Sequence, residues 1–430
     1  MKLKKRVFGV FYFLAIVISS NLKAYCQVDA LVNIKNAEQV ITVGGPDADI
    51  SGFSSSSIQI AIDAIKSRGG GTVKLFPGVY VITAPVRLSD NITLSGEGES
   101  TILRKSDGFK TSFIVDADWG MLKAKVSDVN GFQKGTGIEL YDDEHDKGWG
   151  VTTAVITDII GNTIYFDNNT VNDYLASLNG TVSNACSVIE GTNVENISIS
   201  NLTVQGNKST NDYINGCRGG GIYLFKAKNC LVENVKVNDF NGDSFSWQIT
   251  ENISVKNCEA SNGGGLGFHP GTGSDHSVVE GCKSHNNKED GIFLCWRVQN
   301  GVFRNNQVYN NGRYGVSIGH KDTDNIFENN HVFENGLHGV YFRDENEQNG
   351  GDRNTFMKNI VENNGISQKS YGFYIDGETH DINLRGNIIR TTPGGKGNQI
   401  GAVFVGKKAS LINISENSIS GSKETVYEKK

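Results

Sequence analysis

Two short strings in the second half of this 430-residue chain hold residue types that do acid–base chemistry. One is Ser317-Ile-Gly-His-Lys-Asp-Thr-Asp-Asn325. The other is Gly267-Phe-His-Pro-Gly-Thr-Gly-Ser-Asp275-His276. Gly, Asp and Asn build turns, but His269, His320 and Lys321 add nothing to one. An imidazole is a base near neutral pH. Lys321 joins it only where burial or a nearby cation lowers its pKa. Arg343 and Arg297 each offer a fork that matches a carboxylate. Trp296, His320 and Asp344 are evenly spaced along the chain, so Asp344 can orient His320. This set fits proton removal beside a carboxylate: one group neutralises the acid, one takes the proton, and one protonates the leaving oxygen. The catalytic candidates are His320, Lys321, Arg343, His269 and Asp344. Hydrolysis would instead need two carboxyl groups flanking a bond. Asp344 and Asp376 lie one repeat apart and can pair. Asp243 and Asp344 lie four repeats apart, about 19 Å at ordinary strand spacing, which is too far.

The elements that must carry these residues repeat. Gly221-Ile-Tyr-Leu-Phe is followed by Asp243-Ser-Phe-Ser-Trp, Gly265-Leu-Gly-Phe-His, Gly291-Ile-Phe-Leu-Cys, Gly315-Val-Ser-Ile-Gly, Gly339-Val-Tyr-Phe-Arg, Gly372-Phe-Tyr-Ile-Asp and Gly401-Ala-Val-Phe-Val. A second motif runs out of phase with a turn column Cys258, Cys282, Asn306, Asn330, Asn359, Asn387 and Asn417. A unit this short cannot bury its own apolar face, so it must stack on its neighbours. Stacked Asn amides then hydrogen-bond up the column. The expected fold is all-β: a right-handed parallel β-helix of about 24 residues per coil. Alternation puts Ile222/Leu224, Ile292/Leu294 and Val340/Phe342 inside. It puts Tyr223/Phe225, Phe245/Trp247, Gly267/His269, Tyr341/Arg343 and Tyr374/Asp376 outside. A flat stripe of aromatic and polar groups suits a sugar chain. Trp296, Arg297, Trp247, Tyr341, Tyr374 and Asp376 are the substrate-binding candidates.

Residues 1–26 read as a secretory signal peptide: Lys2, Lys4, Lys5 and Arg6, then an apolar run from Val7 to Ile18, then a polar stretch with Ala24. A permanent anchor or a lipid on Cys26 is the alternative. A secreted, periplasmic or cell-surface protein follows, with no membrane contact after cleavage. Residues 27–105 hold a capping helix and a first coil. Residues 106–192 form a β-rich insertion with a hairpin at Thr152–Phe166. Coils fill 193–425. The net charge of −6 excludes a generally basic nucleic-acid binder. Cys258 and Cys282 share a column and read first as buried thiols, second as a disulfide. The acidic loop Tyr141-Asp-Asp-Glu-His-Asp-Lys-Gly-Trp149 reads as solvated, with a groove border or a calcium site as rivals.

Three segments resemble a known family. Gln59-Ile-Ala-Ile-Asp63, then residues 69–80 (GGGTVKLFPGVY), then residues 91–98 (NITLSGEG) look like the opening of pectate-lyase-superfamily β-helix proteins. With the repeats, the resemblance covers residues 51–105 and 193–420. It implies a polysaccharide groove on one parallel sheet. Hydrolases of the family carry clustered aspartates on consecutive coils, and that cluster is not clean here. No carboxylate column appears on the outer face, so the expected chemistry has no cofactor, with calcium possible. The expectation is an exported enzyme that eliminates or epimerises a uronic-acid-containing polysaccharide. A hydrolase using paired aspartates is the first rival, and a non-catalytic glycan binder or adhesin the second.

Overall fold

The computed structural model describes residues 39–428. The expected signal peptide and Cys26 lie outside the described residues. Over Val40 onward the chain winds into one parallel β-helix capped by a single α-helix, α1 (Ser55–Lys66). Ser54 caps α1: its hydroxyl accepts the Ser57 N–H at 3.2 Å. Ile58, Ala61, Ile62 and Ile65 are buried on one face and join the solenoid core with Val43, Val73 and Leu75. An open stack of coils would expose its first apolar layer, and this helix covers it.

The turn column predicted from sequence is a continuous ladder. Nδ2 of Asn306, Asn330, Asn359 and Asn387 each donates to Oδ1 of the next member at 2.9, 2.9, 3.0 and 2.9 Å. The same side chains accept the backbone N–H of the coil before. Cys282 ends the ladder, receiving the Cys258 N–H on its sulfur at 3.4 Å, and both thiols are buried. A second ladder, Asn287, Asn311, Asn335 and Asn364, ends on Gln399. Inside, Phe303, Phe327 and Phe356 stack at 4.6 and 4.5 Å.

Eleven parallel strands form the sheet that bears the stripe: Val86–Arg87, Ile189–Thr192, Ile222–Phe225, Phe245–Gln248, Phe268–Gly271, Ile292–Phe293, Val316–Ile318, Val340–Phe342, Ser370–Ile375, Gln399–Val405 and Glu424–Glu428. The register corrects one expectation. Ile222 pairs with Phe245, and Phe245 with Phe268, so Ser244 takes the place of Gly221, where the repeat spacing predicts Asp243. A slip of one residue reverses every side chain. Phe245 and Trp247 therefore lie in the core, and Trp247 is 2% exposed with Nε1 on Ser277 Oγ at 2.9 Å. Trp247 is thus not on the outer face expected of it; Ser246 and Gln248 take that face instead. The same slip occurs at Gly401, where Val403 pairs with Phe373 and Phe404 faces out.

Between Lys110 and Ser183 the chain leaves the solenoid as a six-stranded antiparallel sheet with its own core of Ile138, Leu140, Ile156, Phe166 and Val182. The hairpin turns at Gly161-Asn162, where Gly161 takes a φ of 56°. The insertion is tied back to the coils: Tyr141 donates to Asp212 at 2.8 Å and Lys110 pairs with it at 3.1 Å. No helix among the described residues is long and apolar enough to cross a membrane.

Candidate active site

Strands stacked in register place their outward residues in columns. One column runs Arg87, Glu190, Tyr223, Ser246, His269, Phe293, Ser317, Tyr341, Tyr374, Phe404 and Tyr427. Its last third is aromatic. Tyr374 stacks on Phe404 at 4.1 Å, and Tyr314 on Tyr341 at 4.2 Å. His338 stacks on Tyr374 at 4.3 Å, and its Nδ1 accepts the Tyr371 N–H at 3.0 Å. Burial pushes His338 down to about 4, so it is a neutral spacer there. Tyr341 and Tyr374 are half-buried in this patch, on the face expected of them. Asp376 is half-buried beside Tyr374, and its Oδ1 accepts the Gly377 N–H at 3.0 Å.

Where the chain leaves the sheet, two consecutive coils carry a shared strain. Trp296 and Arg297 have φ of 61° and 64°; His320 and Lys321 have 49° and 65°. Left-handed backbone is costly for side chains this large, and pairs of it on adjacent coils point to function. The Trp296 and His320 rings stack at 4.7 Å. Arg297 and Lys321 are exposed side by side, joined by the Arg297 N–H on His320 O at 2.9 Å. Trp296 is 45% exposed. The structure thus brings Trp296, Arg297, His320 and Lys321 together.

Asp344 does not join them. It is exposed, and the neighbouring Glu345 reaches His320 instead, with Oε1 2.6 Å from Nε2. The reason is the coil: the one that joins Val340 to Phe373 is longer than the one that joins Val316 to Val340, so the even spacing fails beyond Phe342. Burial and the Arg343 guanidinium push His320 down to about 4, while burial raises Glu345. Two acceptors cannot sit this close, so one proton lies between them. A neutral His320 donates Nε2–H to Glu345, and its Nδ1 has no partner.

Arg343 is not a free fork either. It donates to Ser317 Oγ at 3.0 Å, Leu294 O at 2.8 Å and Asp322 Oδ2 at 3.0 Å, and it lies over the Phe293 ring at 4.7 Å. It fastens three coils. Its partner Asp322 is buried and raised to about 7, burial outweighing Arg343 and the N–H groups of Val298 and Gly319.

His269 belongs to a separate constellation. It is buried, with Nδ1 2.7 Å from Asp243 Oδ2. Burial opposes its charge, yet the hydrogen-bonded Asp243 carboxylate, aided by nearby Cys295, raises it to about 9. Gly216 lies across the pair; a Cβ there would sit 1.7 Å from Asp243 Oδ2. Asp243, His269 and Cys295 are equally spaced along the chain, which is the sequence signal for this group. Each step is slightly longer than a coil, so each member falls diagonally on the next one. Asp290 is buried with Oδ1 on the Tyr314 N–H at 3.0 Å and Oδ2 unpartnered. Burial raises it to about 6 against Arg313.

The loop 141–149 exposes Asp143, Glu144, Asp146 and Lys147, as a solvated loop does, and is anchored through Asp142. Buried Asp142 accepts from the N–H groups of Glu144, His145 and Leu175 at 3.1, 2.8 and 2.9 Å. Trp149 packs on Phe225 at 5.7 Å with Arg218 5.0 Å from its ring. A cleft of about 630 Å³ at the end of the stripe is lined by Gln59, Arg87, Glu190, Arg218 and Phe225.

Residues 187–356 match the family model described as right handed beta helix region. Among solved structures, the A-module of the mannuronan C-5 epimerase AlgE4 of Azotobacter vinelandii aligns with 17% identity and a TM-score of 0.53, covering 87% of this chain and 95% of that one. The AlgE6 A-module of the same organism aligns with 17% identity, 87% and 91% coverage and a TM-score of 0.48. A hyperthermoactive exopolygalacturonase from Thermotoga maritima aligns with 13% identity, 87% coverage of each chain and a TM-score of 0.49. No curated protein sequence matches. The likeness at these identities is one of fold. The chain folds as a right-handed parallel β-helix.

Proposed function

We propose that the protein is an exported enzyme that acts on a uronic-acid-containing polysaccharide by taking the proton beside the carboxylate. One observation carries this reading: Trp296-Arg297 and His320-Lys321 stacked on consecutive coils, all four left-handed. The open face of Trp296 suits a sugar ring. Arg297 and Lys321 are exposed cations that can bind the uronate carboxylate, and that neutralisation acidifies the adjacent C–H. The His320–Glu345 pair takes the proton and becomes an imidazolium against a carboxylate. Return of the proton to the glycosidic oxygen completes elimination. Delivery of a proton to the opposite face of the same carbon, by an acid on that side, completes epimerisation. A mannuronan epimerase on the same fold supports the second course, and the basic-then-apolar start of the chain supports export.

The test is a panel of uronic-acid and neutral polysaccharides, followed by ultraviolet absorbance, reducing ends and uronate stereochemistry. His320→Ala and Arg297→Ala should each lower turnover by ~10²-fold or more with an unchanged melting temperature. Full activity in both would sink the assignment. Hydrolysis is a second reading, favoured by the unpartnered oxygen of Asp290 beside Glu289, a carboxyl raised by burial and by Asp243. It requires reducing ends without absorbance, lost in Asp290→Asn.

A further inference from the structure

The stripe begins at a closed end. Its first strand, Val86–Arg87, meets α1 where a further strand would lie. Gln59 Oε1 accepts the Arg87 N–H at 2.9 Å, and Gln59 Nε2 donates to Arg87 O at 3.1 Å. These are the two backbone bonds that a neighbouring strand would make. The insertion supplies a second wall. Its Asp167 pairs with the Arg87 guanidinium, while Arg87 Nε is buried without a partner. Arg218 donates Nε and Nη2 to Trp149 O at 3.2 and 2.8 Å, and its Nη1 has no partner among the described residues. Arg87, Glu190 and Tyr223 follow one another in the outward column, and Glu190 Oε1 accepts the Thr192 hydroxyl at 3.0 Å. The Tyr223 and Phe225 rings lie 6.4 Å apart and within 6° of parallel. The cleft between these walls has a volume ordinary for a small-ligand site.

We propose that this cleft is a second glycan site, which holds an uncharged sugar at the end of a chain. Aromatic rings take the apolar face of a sugar. The Glu190 carboxylate accepts from sugar hydroxyls, and Arg87 and Arg218 donate to them. Charge selects the ligand class. The lining sets three cations, Lys66, Arg87 and Arg218, against three carboxylates, Asp63, Asp167 and Glu190. An anion gains nothing from a lining with no net charge, whereas hydroxyls use both signs. Beside Trp296, by contrast, Arg297 and Lys321 stand exposed. A chain end follows from the walls, because α1 and the insertion close the stripe beyond Arg87. Glu190 lies four strands from Phe293 in the column, about 19 Å at ordinary strand spacing, so this site and the Trp296 cluster are separate. The proposal stands independently of proton abstraction at His320.

Calorimetric titration of the full chain with glucose-, galactose-, mannose- and xylose-based trisaccharides tests it, with a triuronate as competitor. At least one neutral trisaccharide should bind and change the emission of Trp149, which packs on Phe225 at 5.7 Å. Glu190→Gln and Phe225→Ala should each weaken that binding by about tenfold with an unchanged melting temperature. Trp149→Phe should remove the emission change and keep the heat of binding. Trp296→Ala should leave the binding unaltered, which separates this site from the one proposed for proton abstraction. The proposal is overturned if no neutral trisaccharide binds at millimolar concentration. Binding that survives both cleft variants, or that is lost in Trp296→Ala, overturns it equally. Displacement of the neutral sugar by the triuronate would overturn the choice of an uncharged ligand.

Discussion

The Asp243–His269 pair makes a prediction whose size and sign both follow from the geometry. His269 is raised to about 9 in the fold, against about 6.5 in an unfolded chain. A gap of about 2.5 units corresponds to roughly 3 kcal/mol at 1.36 kcal/mol per unit. The folded value is the higher one, so this stability is fully present below about pH 6.5. It is lost as pH rises through about 9. Asp243→Asn leaves the buried imidazole without its carboxylate partner, and burial then favours its neutral form. The difference in stability between the two proteins should therefore be about 3 kcal/mol larger at pH 6 than at pH 9.5. Urea unfolding of both chains at pH 6, 7.5 and 9.5 measures it. Because each comparison is made at one pH, Asp290, His320 and His338 cancel. A difference that is the same at all three values would refute the ion pair.

Two further outcomes test the scaffold. Asn330→Ala removes two bonds made by its Nδ2 and strips the Asn306 N–H of its acceptor. It should cost about 2–5 kcal/mol, whereas Asn413→Ala, on the exposed Asn413–Asn383 bond, should cost about 0.5 kcal/mol; equal urea midpoints would remove the ladder from the account. Trp247→Ala should cost about 3–5 kcal/mol and leave glycan affinity unaltered, and a lost affinity with unchanged melting would return Trp247 to the outer face.

The repeat was legible because its constraints are local and recur. Asn330 must have the same neighbours above and below, so spacing alone reveals its column. The outward stripe was legible where the Gly directly precedes the first inward residue and failed at Asp243 and Gly401, where the register slips, since one residue decides the face. The Trp296, Arg297, His320 and Lys321 cluster could be read because the coils on either side of Val316 are equal in length. Glu345 could not, because the next coil is longer and its loop sets its own course. Arg343 shows another limit: its type suggested carboxylate binding, but its bonds to Leu294 O, Ser317 and Asp322 are invisible until three coils stack.

The central claim is that the stripe takes a proton from the carbon bearing a uronate carboxylate. Incubating uronic-acid polysaccharides with the protein in deuterium oxide, with nuclear magnetic resonance as the readout, tests it most directly. The account predicts unsaturated uronate ends or deuterium at that carbon, both abolished by His320→Ala. New reducing ends with neither signal, or either signal undiminished in the variant, would contradict it.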